Sequence, residues 1–90
     1  MQGSASNMYY VYILQSQKDG NLYVGSTSEL KQRFAQHNKG GVISTKHRRP
    51  LILICYEAYQ YKTEALIREK FLKTSDGKKD LKKRMTISLN

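Results

Sequence analysis

A hairpin of tyrosine-rich strands at residues 8–25 constrains the fold of this chain more than any other segment. Its sequence is MYYVYILQSQKDGNLYVG, in which two runs of strand-favouring residues flank Asp19-Gly20, a pair typical of tight hairpin turns. We predict a first strand over about residues 8–15 and a second over about residues 21–25. With a two-residue turn the strands are antiparallel and Leu14 pairs with Gly25.

This register separates the hairpin side chains into two sets. One face carries Tyr10, Tyr12, Leu14 and Tyr23, and the other carries Val11, Ile13, Leu22 and Val24. The aliphatic face is typical of a core. The tyrosine-rich face is either a packed sheet surface or a set of hydroxyl groups directed at a substrate.

The pattern after the hairpin predicts a short helix over residues 28–38. Thr27 or Ser28 can cap its start, and Asn38 with the Gly40-Gly41 pair ends it. Its apolar anchors are Leu30 and Phe34. Two polar residues, Arg33 and His37, lie at the edge of the apolar stripe. Arg33 and His37 are one helical turn apart, so they share a face.

A basic loop and a third strand follow. Lys46, Arg48 and Arg49 lie in the loop, where they either track phosphates of a nucleic acid or form a solvated charged surface. The continuous apolar run LILIC opens a strand over residues 51–58, and it predicts a strand covered on both faces that is either central or well packed. Cys55 within it is expected to be a small core residue.

Residues 61–73 predict a second helix. Its broad apolar face is expected to hold Tyr61, Ala65, Ile67, Phe71 and Leu72. Glu69 lies at the border of that face, where the structural alternative is an ion pair with Lys73 at i+4. Ser75-Asp76-Gly77 is expected to break the helix, and residues 78–84 form a short basic helix or tail. The order is β-β-α-β-α(-α), which predicts an α+β fold with a small, mostly antiparallel three-stranded sheet flanked by helices.

Composition restricts the class of protein. Ninety residues are enough for one domain, which we place at residues 8–85 between a disordered tail at 1–7 and a tail at 86–90. The net charge of +9 favours a polyanionic partner, with nucleic acid ahead of an anionic membrane. One cysteine excludes an internal disulfide framework, and neither a membrane span nor a signal core is evident, so we expect a cytoplasmic protein without a membrane partner.

The chain lacks a phosphate-cradling glycine loop, zinc-ligand spacing and a Ser-His-Asp arrangement. What it does contain resembles the GIY-YIG nuclease superfamily, especially its small single-domain members and the amino-terminal nuclease domain of the DNA-repair excinuclease. The matching segments are Tyr10-Val11-Tyr12, Tyr23-Val24-Gly25, Arg33 with His37, and Ala65-Leu66-Ile67-Arg68-Glu69 followed by Lys73. The resemblance covers about residues 8–75.

The resemblance implies hydrolysis of phosphodiester bonds in DNA repair or recombination, with DNA as the substrate and Mg²⁺ or Mn²⁺ as the cofactor. Glu69 would be the metal ligand and Arg33 the phosphate ligand, which suits a hard cation and a planar guanidinium. Tyr12 and Tyr23 would position or deprotonate the attacking water. His37 is an alternative base because its ordinary pKa is close to neutrality. The sequence does not choose between Tyr12 and His37.

Two departures from the family pattern concern the site. Tyr10 replaces the first glycine, and Ser26 stands close to where the excinuclease-type domain has a lysine, for which Lys46 is a candidate substitute. Two other functions remain open. One is a nucleic-acid-binding module that cuts little without a partner protein, and the other is a basic interaction protein whose tyrosines are structural. Sequence leaves the oligomeric state undetermined.

Overall fold

A computed structural model describes residues 8–85 of the chain. The expected tails at 1–7 and 86–90 lie outside the described residues. The elements are β1 (Tyr9–Ser16), β2 (Leu22–Thr27), α1 (Leu30–Asn38), a 3₁₀ turn (Lys46–Arg48), β3 (Leu51–Tyr59), α2 (Lys62–Leu72) and α3 (Ser75–Arg84). None of the helices within residues 8–85 has the length and apolar character needed to cross a membrane.

The three strands form one antiparallel sheet in the order β2-β1-β3, so the predicted fold class is confirmed. Of the two alternatives for the third strand, the central position is wrong, because β1 is the central strand and β3 lies at an edge. A register irregularity opposite Ile13 and Leu14 explains the continuous apolar run. It lets Ile54 and Cys55 pack towards one face of the sheet while Leu53 packs towards the other.

The hairpin register differs from the predicted one by two residues. Leu14 pairs with Tyr23 and not with Gly25. The loop is longer than a two-residue turn: the Ser16 N–H donates to Asn21 O, and the N–H of Gly20, at φ 75°, donates to Ser16 O. A shift of two residues preserves the side-chain alternation, so both predicted faces of the hairpin are retained.

Each face of the sheet has its own core. On one face, Tyr12, Leu14 and Leu51 pack with Leu30 and Phe34 of α1. On the opposite face the buried residues of β1 and β2 pack with α2 and α3, and this cluster contains Val11, Ile13, Val24, Ala65, Leu72, Leu81 and Met85. The sheet is therefore covered on both sides and can present side chains to two different layers.

The start of α1 differs from the prediction. Its N-cap residue is Glu29, and among the described residues no side chain makes a capping hydrogen bond to the helix. Thr27 Oγ1 instead accepts the Glu29 N–H in the preceding turn. The predicted end of α1 is correct, with Asn38 as the last helical residue and Gly40 at φ 82°.

The second and third helices also depart from the sequence interpretation. Ala65 and Leu72 are buried, whereas Tyr61, Ile67 and Phe71 are exposed. A helical wheel locates an apolar arc but not the neighbour that covers it.

The residues expected to break the helix instead start α3, because Thr74 Oγ1 caps it by accepting the Gly77 N–H. Gly77 is buried against the carbonyl of Phe71, where a side chain would overlap backbone.

Candidate active site

A buried chain of hydrogen bonds connects α1, the centre of β1 and the basic loop. Arg33 Nε donates to the Tyr12 hydroxyl at 3.4 Å. That hydroxyl lies 2.8 Å from His37 Nε2, and His37 Nδ1 lies 2.7 Å from Thr45 Oγ1. Because a guanidinium only donates, the Tyr12 hydroxyl accepts from Arg33 and is free to donate to Nε2, so Nδ1–H donates to Thr45.

Burial keeps Tyr12 and His37 uncharged at neutral pH. Tyr12 is 1% exposed, and His37 and Thr45 are fully buried. Burial raises the pKa of Tyr12, and the hydrogen bond from Arg33 offsets this only in part. Burial also lowers the pKa of His37 to about 4, and the nearby charge of Arg33 lowers it further. At neutral pH the tyrosine therefore carries its proton and the imidazole is an uncharged acceptor.

The second signature segment closes one side of this chain. The ring of Tyr23 contacts that of His37 edge-on with centroids 5.1 Å apart, and it lies tilted against Tyr12 at 6.4 Å. Tyr23 is only partly buried, so it faces solvent more than its two neighbours do. Gly25 pairs with Tyr12 across the sheet, and a side chain at Gly25 would overlap the Tyr12 phenol. The glycine is therefore required by close approach of the ring.

Glu69 approaches from the opposite layer, on α2. The Ser26 hydroxyl donates to Glu69 Oε1 at 2.6 Å, and Lys73 Nζ donates to Oε2 at 2.8 Å. Burial alone would raise the pKa of Glu69, but the hydrogen bonds from Lys73 and Ser26 lower it below its ordinary value. Glu69 is therefore ionised, and the ion pair with Lys73 that the helical spacing offered as the structural alternative is present.

Only the edge strand β2 separates Glu69 from the buried chain. Ser26 directly follows Gly25, whose backbone contacts the Tyr12 phenol. Burial is the main cause of the raised pKa of Tyr12, and Tyr23 and the Glu69 carboxylate raise it further. The carboxylate therefore acts electrostatically on Tyr12. The structure therefore brings Tyr12, Tyr23, Arg33 and His37 into one cluster and places Glu69 beside it.

Glu69 is the side chain that fits a divalent metal. Within residues 8–85 no group of three or more His, Cys, Asp or Glu side chains is arranged as a metal site. Mg²⁺ needs only one or two protein carboxylates, because waters and phosphate oxygens complete its coordination. The Lys73 side chain is 52% exposed, so its contact with Glu69 is cheap to displace. An ionised Glu69 beside the Ser26 hydroxyl is thus a suitable donor set.

The basic loop residues are partly engaged within the protein. Arg48 forms an ion pair with Asp19 at 3.6 Å and donates to Leu22 O. Arg49 donates to Lys46 O at 2.9 Å and to Asn38 O at the end of α1. The side chain of Lys46 is exposed and directly follows Thr45. Of the three, Lys46 is the one best placed to meet a ligand beside the buried chain.

Two residues of the site were missed as contributors by the sequence interpretation. Thr45 binds His37 from an irregular loop, eight positions along the chain, and no periodic pattern connects them. Ser26 was singled out only as a departure from the family pattern, whereas it is the hydrogen-bond donor to Glu69. Successive side chains of a strand point to opposite faces. The position of Ser26 directly after Gly25 on β2 was therefore the signal that could have placed it on the face towards Glu69.

Comparisons with known proteins concern the sequence and the fold. The GIY-YIG catalytic domain model matches residues 8–85. UPF0213 proteins of Staphylococcus saprophyticus and Staphylococcus haemolyticus are each 43% identical over 75 residues, which is 82% of this chain and 90% of theirs. The solution NMR structure of the UPF0213 protein BH0048 from Bacillus halodurans is similar with a TM-score of 0.53 and 34% identity, covering 82% of this chain and 81% of that one.

Proposed function

Since this chain belongs to the GIY-YIG family, we propose that it is an endonuclease that hydrolyses DNA phosphodiester bonds with Mg²⁺ or Mn²⁺ in the cytoplasm. The observation that carries the proposal is the juxtaposition of the Arg33–Tyr12–His37 chain with an ionised Glu69, which is bonded to Ser26 next to Gly25. A phosphate ligand, a proton acceptor and a metal ligand are the three components that metal-assisted phosphodiester hydrolysis requires.

Arg33 is the group that binds the scissile phosphate. Its guanidinium is partly exposed at the edge of α1, and it offers further N–H donors beyond the Nε bonded to Tyr12. A planar guanidinium binds two phosphate oxygens and offsets the charge that develops in the transition state. When Arg33 turns to the phosphate, the Tyr12 oxygen loses its bound donor and can accept a proton from water.

Tyr12 and His37 act together as the proton acceptor. As the attacking water transfers its proton to the Tyr12 oxygen, the phenolic proton passes to His37 Nε2, so no free phenolate is needed. The low pKa of His37 opposes this transfer in the free protein. Phosphate bound to Arg33 offsets one of the two causes of that low pKa, and it therefore raises the proton affinity of His37 when substrate is present. Tyr23, on the solvent side, positions the water.

Glu69 would hold the metal, which when bound supplies electrostatic stabilisation of the phosphate oxygens and the leaving group. The chain prepares Glu69 for this role in two ways. The Ser26 hydroxyl orients one carboxylate oxygen, and the two hydrogen bonds keep the group ionised. Lys46 is proposed to contact the DNA backbone, joined by Arg48 and Arg49 if their internal contacts are exchanged for phosphate.

Cleavage of plasmid and branched DNA with Mg²⁺ or Mn²⁺ tests the proposal. We expect wild type to cut in a metal-dependent manner and Glu69→Ala to lose that activity. Glu64→Ala is the matched control, because Glu64 is an exposed acid on the same helix. Equal traces of cutting by wild type and Glu69→Ala would contradict the nuclease proposal for that substrate.

One observation favours a second function, a binding module that cuts only with a partner protein. In the free chain both oxygens of Glu69 are hydrogen-bonded and the Tyr12 hydroxyl is protonated, so the site is not yet in its reactive form. Under this alternative the wild type retains DNA with a salt-dependent affinity but shows no metal-dependent cutting. Restoration of cutting by an added partner protein would distinguish this binding module from a protein that has the fold but no nuclease activity.

A further inference from the structure

A pair of tyrosines outside the buried chain forms a second aromatic site on the same face of the sheet. The rings of Tyr10 and Tyr56 meet edge-to-face with centroids 5.8 Å apart. Tyr56 is 54% exposed on the edge strand β3. Tyr10 occupies the position where the family pattern has glycine. Neither tyrosine belongs to a core cluster of the described residues, although Tyr10 is partly buried, so core packing does not account for the pair.

The pair lies along one open groove of about 620 Å³. The groove runs beside the first turn of α1, where Glu29 and Lys31 line it together with Tyr10 and Tyr56. Tyr10 is two residues before Tyr12 on the same face of β1, which in an extended strand is a displacement of about 7 Å. The groove therefore adjoins the candidate active site.

We propose that the exposed ring of Tyr56, which Tyr10 contacts edge-to-face, is a stacking platform for an unpaired nucleobase of the DNA strand that enters the active site. This inference rests on the proposed nucleic-acid function and assigns its substrate class: DNA with unpaired nucleotides next to the cleaved bond. An aromatic platform on a sheet binds bases through their flat faces, whatever the sequence. In an intact duplex these faces are covered by neighbouring base pairs, so the platform selects unpaired bases.

The charges around the groove favour a base over a phosphate as its occupant. Glu29 would repel a phosphate, but its carboxylate can accept a hydrogen bond from the exocyclic amine of a base. Lys31 lies at the groove, where its ammonium group can hold a flanking phosphate while the base rests on the platform. The displacement of about 7 Å from Tyr10 to Tyr12 along β1 corresponds to roughly two stacked nucleotides along one DNA strand.

Binding of three DNA probes without divalent metal tests the platform. The probes are a blunt duplex, the same duplex with a short single-stranded overhang, and that overhang with abasic nucleotides that keep the phosphates. Fluorescence anisotropy compares wild type with Tyr56→Ala and Tyr56→Phe. Tyr61→Ala is the matched control, because Tyr61 is 61% exposed and lies outside the groove.

We expect Tyr56→Ala to weaken binding of the overhang roughly 5- to 150-fold, the range for losing one base stack. Binding of the blunt and abasic probes should not change, and the salt dependence should be unaltered because no phosphate contact is removed. Tyr56→Phe and Tyr61→Ala should bind like wild type. An unchanged affinity for the overhang, or equal losses on all three probes, would overturn the platform.

The same probes separate this inference from the nuclease proposal. Selective loss of overhang binding in Tyr56→Ala supports the platform even if no probe is cut after Mg²⁺ is added, and that outcome overturns the nuclease proposal alone. Cutting that depends on Glu69 but is indifferent to the overhang and to Tyr56 overturns the platform alone.

Discussion

His37 makes the stability of this protein depend on pH between about pH 6.5 and pH 4. Burial, with a further contribution from Arg33, lowers the pKa of His37 from 6.5 to about 4. Between these values the unfolded chain binds a proton that the folded chain does not. The free energy of unfolding therefore falls as the pH is lowered through this window, and the contribution of His37 is fully present above pH 6.5.

The size of the effect follows from the two pKa values. Each pH unit inside the window costs about 1.4 kcal/mol, so the whole window amounts to about 3 kcal/mol. Between pH 7 and pH 5 the loss is about 2 kcal/mol, which corresponds to a drop of roughly 8–16 °C in Tm for a domain of this size. Glu57, Glu69 and Asp19 also have lowered pKa values, but their ordinary values are 4.5, 4.5 and 3.8, so they contribute at lower pH.

Thermal and urea unfolding at pH 7 and pH 5, followed by circular dichroism, measures this loss. The informative variant is His37→Gln, which keeps a hydrogen-bonding side chain but does not titrate. We expect it to be less stable than wild type at pH 7 and nearly independent of pH between 7 and 5. His47→Gln is the matched control, since the chain has two histidines and His47 is exposed.

Two outcomes would refute this reasoning. If His37→Gln lost as much stability as wild type between pH 7 and pH 5, the dependence would come from another group. If wild type lost no stability between pH 7 and pH 5, burial would not be holding His37 neutral in the folded protein. The same property predicts that the acid limb of kcat/KM lies nearer pH 4 than pH 6.5, because that profile reports the ionisation of the free enzyme.

Three further substitutions test single contacts. Thr45→Val leaves a buried imidazole N–H without its acceptor and should destabilise the fold by about 1–3 kcal/mol, whereas Thr45→Ser should retain most of the stability in urea unfolding. Gly77→Ala places a Cβ against the carbonyl of Phe71 and should cost about 1–3 kcal/mol; an unchanged Tm would contradict the close approach of α3 to α2. Glu69→Gln breaks the ion pair with Lys73, whose side chain is 52% exposed whereas that of Glu69 is 18% exposed. Because the lysine is half in solvent, stability should change by about 1 kcal/mol or less. We expect Mg²⁺ to raise the Tm of wild type by binding the folded state and not to raise that of Glu69→Gln. A rise in the Tm of the variant would exclude Glu69 as the ligand.

The sequence alone determined the class of fold and most of the residue set of the candidate site. Alternation in residues 8–25 specified the two hairpin faces even though the register was off by two, because side chains repeat every second residue. Helical spacing placed Arg33 and His37 on one face, and resemblance to the GIY-YIG family grouped them with Tyr12, Tyr23 and Glu69. The predictions of the fold class and of the two hairpin faces are confirmed because they depend on local periodicity, whereas the roles of the site residues rest on ordered motifs and stay predictions.

Only the tertiary structure decided what these side chains contact. Thr45 reaches His37 from an irregular loop, and Ser26 joins β2 to Glu69 across 43 positions. The bulge in β3 and the exposure of Ile67 on α2 depend on which neighbouring element lies where. The lowered pKa of His37 likewise arises from complete burial beside Arg33. Contacts between distant segments and the desolvation that they cause are properties of the packed molecule, and local pattern carries no record of them.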